Sequence, residues 1–173
     1  MKKIALIYWP KKGSTETAAH KIHAKFEKDM IDIFTITDIN TAEFSLYDAF
    51  IIGGSTTGAD NWESAHKTRW NDFFAKLDKA EIKGKPFAIY GLGNQVLYPN
   101  HFVDGMAFVK EIFEKRGAVL KGHWPIDGYD FEDSESVENG KFFGLALDFD
   151  TQDELTDSRI ETWVAQLRKE FAI

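Results

Sequence analysis

Three short runs of consecutive apolar residues constrain this chain most: Ile4–Trp9 (IALIYW), Phe50–Gly54 (FIIGG) and Phe87–Gly91 (FAIYG). A strand with one wet face alternates apolar and polar side chains, whereas these runs are apolar on both faces. Such strands need helices on each side of their sheet, and helical patterns lie between them. Thr15–Lys28 puts Ala18, Ala19, Ile22 and Phe26 on one stripe; Arg69–Lys79 repeats Trp70, Phe73, Phe74 and Leu77. Phe102–Arg116 repeats Phe102, Met106, Val109 and Phe113, and Gly117 is the expected C-cap. The last helix opens near Thr156 or Ser158, where Ser158 and Glu161 have capping-box spacing, and buries Ile160, Trp163, Val164, Leu167 and Phe171. With strands at Ile31–Ile36 and Val119–Trp124, the order predicts a single α/β domain over residues 1–173. Its core is a doubly wound five-stranded parallel sheet with helices on both faces. Right-handed crossovers leave a crevice at the carboxyl ends of the strands. Function is therefore expected in the loops after Trp9, Gly54 and Gly91.

Residues 125–144 (PIDGYDFEDSESVENGKFFG) break the rhythm and precede another strand-like run, Leu145–Phe149. The expectation is a fifth strand interrupted by an insertion, with no second domain. Residues 127–161 hold twelve acidic and two basic residues, a net −10 in a chain of −7, so the remainder is about +3. This segment is either a solvated acidic face or a docking surface for basic partners.

Composition removes several classes. With 43% apolar and 28% charged residues the chain is globular. The absence of cysteine excludes disulfides, thiolate nucleophiles and cysteine-ligated zinc or iron–sulfur centres. The acidic balance argues against nucleic-acid binding, and no run of eighteen apolar residues offers a membrane span. Met1-Lys2-Lys3 before a six-residue apolar run imitates a signal peptide, but the run is too short and no cleavage site follows. A buried first strand and a cytoplasmic location are expected.

The stretch 90–107 (YGLGNQVLYPNHFVDGMA) resembles the third cofactor loop of long-chain flavodoxins, and 122–150 (GHWPIDGYDFEDSESVENGKFFGLALDFD) resembles their distinguishing insertion. With the opening strand and the helix TDSRIETWVAQL, the resemblance spans essentially the whole chain. It implies a flavodoxin-like sheet, a non-covalent FMN and low-potential one-electron transfer between soluble redox partners. It implies an electron carrier, not an enzyme, that is a monomer. A second possibility is a flavodoxin-fold protein with a degenerate FMN site, serving as an anion-binding or partner-binding module.

The family's phosphate loop resembles Ser/Thr-x-Thr-Gly-x-Thr, and the matching segment is Pro10-Lys11-Lys12-Gly13-Ser14-Thr15. Gly13 and Thr15 match, while Pro10 and Lys12 replace hydroxyl residues and Pro10 also lacks an N–H. Lys11 and Lys12 at a helix N-terminus make an anion site by formal charge, or are simply solvated. In the second loop, Ser55, Thr56, Thr57 and Gly58, the family's usual proline is Thr56 and its covering residue is Gly58. Trp62 either covers the ring or begins helix packing. The glycine would let a carbonyl rotate toward the flavin N5 proton. The third loop matches best: Tyr98 falls where the family stacks a tyrosine on the outer flavin face. Gly91, Leu92 and Gly93 place backbone near the ring, and Asn94 stands where an aspartate is commoner. His20 and His23, at i and i+3, lack an evident third metal ligand. Asp148 and Asp150 read as a supporting or solvated pair.

Overall fold

The computed structural model describes residues 2–55 and 65–173. All six residues of β1 (Ile4–Trp9) are buried, as an apolar run covered on both faces requires. The neighbouring strands are β2 (Ile31–Thr35), β3 (Ala49–Ser55) and β4 (Pro86–Leu92). All pair in parallel, in the order β2-β1-β3-β4, so the chain reverses direction of travel across the sheet between β1 and β3. Helices α1 (Ser14–His23) and α4 (Thr156–Glu170) pack together on one face. On the other, α2 (Ala65–Lys76) meets α3 (Gly105–Lys115) through an edge-to-face contact of Phe74 with Phe108.

The fifth position of the sheet is shared. The amino half of β4 pairs with the two-residue strand β5 (Val119–Leu120). Between them and the return strand lies a three-stranded antiparallel sheet of β6 (Trp124–Pro125), β7 (Val137–Glu138) and β8 (Lys141–Phe142). The carboxyl half of β4 then pairs with β9 (Leu145–Leu147). The chain leaves the sheet at Gly122, whose carbonyl accepts from Trp163 Nε1 and whose N–H donates to Glu170. The run Val119–Trp124 is thus not one strand. Re-entry depends on Gly144, where a Cβ would stand 2.0 Å from the Ile89 carbonyl oxygen.

Two helix ends differ from expectation. Residues ahead of Gly105 are not helical because Phe102 is committed elsewhere. Its N–H donates to Asp133 and its carbonyl accepts from the Ser134 hydroxyl. The capping box at Ser158 does not form: α4 already starts at Thr156, and the Ser158 hydroxyl donates back to the Leu155 carbonyl. The end of α3 is as expected. Gly117 (φ 81°) donates to Glu114, and Ala118 donates to Phe113, the pair of bonds that closes a Schellman turn.

Candidate functional site

Where the strand order reverses, the carboxyl ends of β1, β3 and β4 open onto a cavity of about 220 Å³. One wall is the loop after β1 with the first turn of α1: Pro10, Lys12, Gly13, Ser14 and Thr15. The other walls are Ser55, the loop residues Leu92, Gly93 and Asn94, and Phe149 with Asp150 beyond β9. Eight of the residues that the sequence reading assigned to cofactor binding, Lys12 to Thr15, Ser55 and Leu92 to Asn94, therefore meet at one place.

The amino end of α1 is open toward this space. Gly13 is its N-cap (φ 81°), and no side chain caps the helix. The first helical bond runs from the Thr17 N–H to the Gly13 carbonyl at 3.1 Å, which leaves the preceding amides without helical partners. Those amides and the helix dipole favour an anion. The first turn is held by two tyrosines. Tyr90 on β4 is completely buried and its hydroxyl donates to the Thr15 carbonyl at 3.0 Å. Room for its ring exists because residue 53 is glycine, whose Cβ would lie 1.9 Å from the ring. Burial pushes the Tyr90 hydroxyl far above its ordinary pKa, so it remains a donor. Tyr8 on β1 donates to Glu16 Oε1 at 2.6 Å, and the Lys12 N–H donates to Oε2 at 3.0 Å. Burial and the Glu16 carboxylate raise Tyr8 to about 12; the same hydrogen bonds lower Glu16.

The two lysines separate. Lys12, with positive φ of 68°, lines the cavity, whereas the Lys11 ammonium pairs with Asp38 at 3.1 Å and lies outside the lining. The Thr35 hydroxyl and Lys11 together hold Asp38 below the usual carboxylate range. Gly91 also stands apart: its open side faces Met106 and Val103 of the α3 layer. Thr56, Thr57, Gly58 and Trp62 lie outside the described residues. Tyr98 is 52% exposed in a loop with Val96 and Leu97, which are exposed as well.

Gln95 and Thr151 carried no signal in the sequence, and Asp148, read there as supporting or solvated, is their buried partner. Asp148 is fully buried after β9 and accepts from the Gln95 N–H at 3.0 Å, Gln95 Nε2 at 3.1 Å and the Thr151 N–H at 2.9 Å. Burial alone would raise its pKa; hydrogen bonds from Thr151 and Gln95 outweigh that and keep it below the ordinary value. Asn94 Oδ1 accepts from the Val96 and Leu97 N–H groups, and Asn94 Nδ2 donates to Asp150 at 3.0 Å. Phe149, the last residue of the strand-like run, and Asp150 just after it were not assigned to the cofactor from the sequence, although the end of a strand beside β4 is where such lining residues fall. Among the described residues, no three His, Cys, Asp or Glu side chains converge as a metal site.

Comparison with known proteins accords with this architecture. The family model "Flavodoxin" matches residues 6–163. The flavodoxin of Trichodesmium erythraeum is 41% identical over an alignment of 177 positions covering both chains completely. That of Nostoc sp. is 38% identical over 172 residues, 99% of each chain. The structure of Fusobacterium nucleatum flavodoxin bound to flavin mononucleotide superposes with a TM-score of 0.87 at 31% identity, covering 99% of both chains. A family match over most of the chain, full-length relatives and a shared fold together show that the protein belongs to the flavodoxin family.

Proposed function

We propose that this chain carries single electrons on non-covalently bound FMN, with the phosphate at the amino end of α1 and the ring against residues 92–98. The observation that carries the reading is the convergence of an uncapped helix end, Lys12, Ser14, Thr15, Ser55 and the 92–94 backbone on one cavity. The donor set suits a phosphate: first-turn amides, hydroxyls and one opposing ammonium. At about 220 Å³ the space is smaller than the roughly 300–1,000 Å³ of a drug-sized ligand pocket. It would therefore house the phosphate-bearing end, with the ring reaching the exposed aromatic face of Tyr98.

Bound FMN supplies the redox chemistry, taking up and returning one electron at a time. The residues do the rest. Lys12 opposes phosphate charge while Lys11, held by Asp38, contributes only field. Tyr8 and Tyr90 fix the first turn of α1, so its amides need no reorganisation. Tyr98 offers a π surface that binds the ring and disfavours extra negative charge upon it.

Partners are soluble redox proteins that dock on the acidic surface, and the chain acts as a cytoplasmic monomer. Eleven of the twelve acids in 127–161 are exposed, Asp148 alone being buried, while Arg159 is buried beneath the surface. The outward face is thus even more one-sided than composition suggests. Fluorescence titration of the apo protein with FMN tests the cofactor reading. Stoichiometric quenching at micromolar concentrations is expected; no uptake overturns it.

A further inference from the structure

We propose that the end of the sheet away from the cofactor cavity carries a docking groove for an acidic protein segment bearing apolar side chains. The groove, about 520 Å³, is larger than the cofactor cavity. It lies between the turn Leu77–Lys79 that ends α2, the 80–85 loop and Arg116, which caps α3. The loop is held to the end of α3 by the Gly84 N–H, which donates to the Gly117 carbonyl at 2.8 Å. Lys85 then leads into the amino end of β4, whereas the cofactor cavity opens at the carboxyl end of that strand. The two sites therefore stand roughly 20 Å apart.

Charge selects the occupant. Residues 76–85 and 110–121 hold eight lysines and arginines against four acids, a net +4, so the positive charge of the chain is gathered around this groove. Lys83 is exposed and has no carboxylate partner among the described residues. Lys85 is half-buried, and its ammonium is clasped by neutral carbonyls, Tyr47 at 2.7 Å and Phe44 at 2.9 Å, with no carboxylate opposite it among the described residues. Arg116 differs: its Nε and Nη2 both donate to Asp78 Oδ1, at 3.0 and 2.6 Å, which commits that acid within the groove. Apolar side chains flank the lysines. Val119, whose N–H donates to the Lys85 carbonyl, is 43% exposed, and Leu46, in the turn that Lys85 clasps, is 65% exposed. A peptide gains from burying such side chains, and a bare polyanion does not. A chain of net −7 repels nucleic acid, whereas a short acidic segment meets only the local field. A carrier held by this end keeps its cofactor edge free, so the partner serves as a tether and not as an electron donor.

Fluorescence anisotropy of the full chain with a labelled ten-residue peptide, eight glutamates around two leucines, tests the groove. Saturable binding below ~1 mM is expected at low salt, weakening about tenfold between ~20 and ~200 mM salt. Lys79→Glu with Lys83→Glu, both exposed, should weaken it about tenfold. Glu81→Lys, in the lining, should strengthen it about threefold, a gain that no folding defect can mimic. Leu46→Ser should cost about threefold. Amide shifts should fall in residues 77–85 and 116–119, and not in 12–15 or 92–98. No binding at ~1 mM, indifference to both charge changes, or shifts at the cofactor loops would overturn the groove. Equal affinity for a peptide without leucines would overturn a protein segment in favour of a plain polyanion. A salt-sensitive dimer in sedimentation that the peptide dissociates would instead give the groove to the acidic segment of a second copy. Binding should be the same with and without FMN, so the result stands apart from the cofactor reading.

Discussion

Tyr98 and Lys12 carry different kinds of binding, and their substitutions should differ accordingly. Stacking by an aromatic ring contributes on the order of 1 kcal/mol beyond burial. Tyr98→Ala should therefore weaken FMN about tenfold with little dependence on salt, which titration at two ionic strengths will check. Lys12 acts by charge, so wild-type affinity should fall as salt rises, and Lys12→Thr should flatten that slope. A slope unchanged in Lys12→Thr would remove Lys12 from the site. Asp148 titrates with the fold. Its pKa is lowered in the folded chain, so its stabilisation is present above the unfolded value of about 3.9 and is lost as pH falls through the folded value. Urea unfolding should show Asp148→Asn clearly less stable than wild type at neutral pH. The gap should start to narrow as pH falls below about 4 and close only below the folded value, where the wild-type carboxyl is also neutral.

Among the elements, the divided fifth strand is the least secure and the most informative. β9 contributes three residues beside β4, and its approach requires glycine at position 144. Gly144→Ala would drive a methyl group into the Ile89 carbonyl, an overpacking cost of about 3 kcal/mol or more. Gly140→Ala, with positive φ but open space around it, should cost only about 1 kcal/mol. Thermal unfolding of both variants separates close approach from backbone strain; equal losses would refute the distinction. The main strands and the heptad-like helical stripes were legible because their periodicities are local. The break at Gly122 was not, because it depends on Trp163 and Glu170 from α4.

At the scale of the whole molecule, charge is segregated. Residues 127–161 carry a net −10 while the rest is about +3, and the exposed cations of that rest include Lys11 and Lys12 at the loop after β1. A basic redox partner should therefore be steered to one side. Electron transfer to such a partner should slow as ionic strength rises from ~10 mM to ~500 mM, where the Debye length shrinks to a few ångströms. A stopped-flow rate indifferent to salt would speak against docking on this face.

By itself the sequence determined the alternation of buried strands and amphipathic helices, the turn at Gly117 and the loops after β1 and β4 at the carboxyl ends of the strands. Each is written in side-chain period or in a residue's own backbone preference, so neighbours in the chain suffice to specify it. Only the tertiary structure decided that Lys11 turns away to Asp38, that Gly91 faces the α3 layer, and that Tyr90 reaches Thr15 across the space left by Gly53. It also decided that Asp148 is buried beneath Gln95, 53 residues away in the chain. Those outcomes follow from the requirement that every buried polar group find a partner, and the partner is chosen by which segments the fold brings together in space.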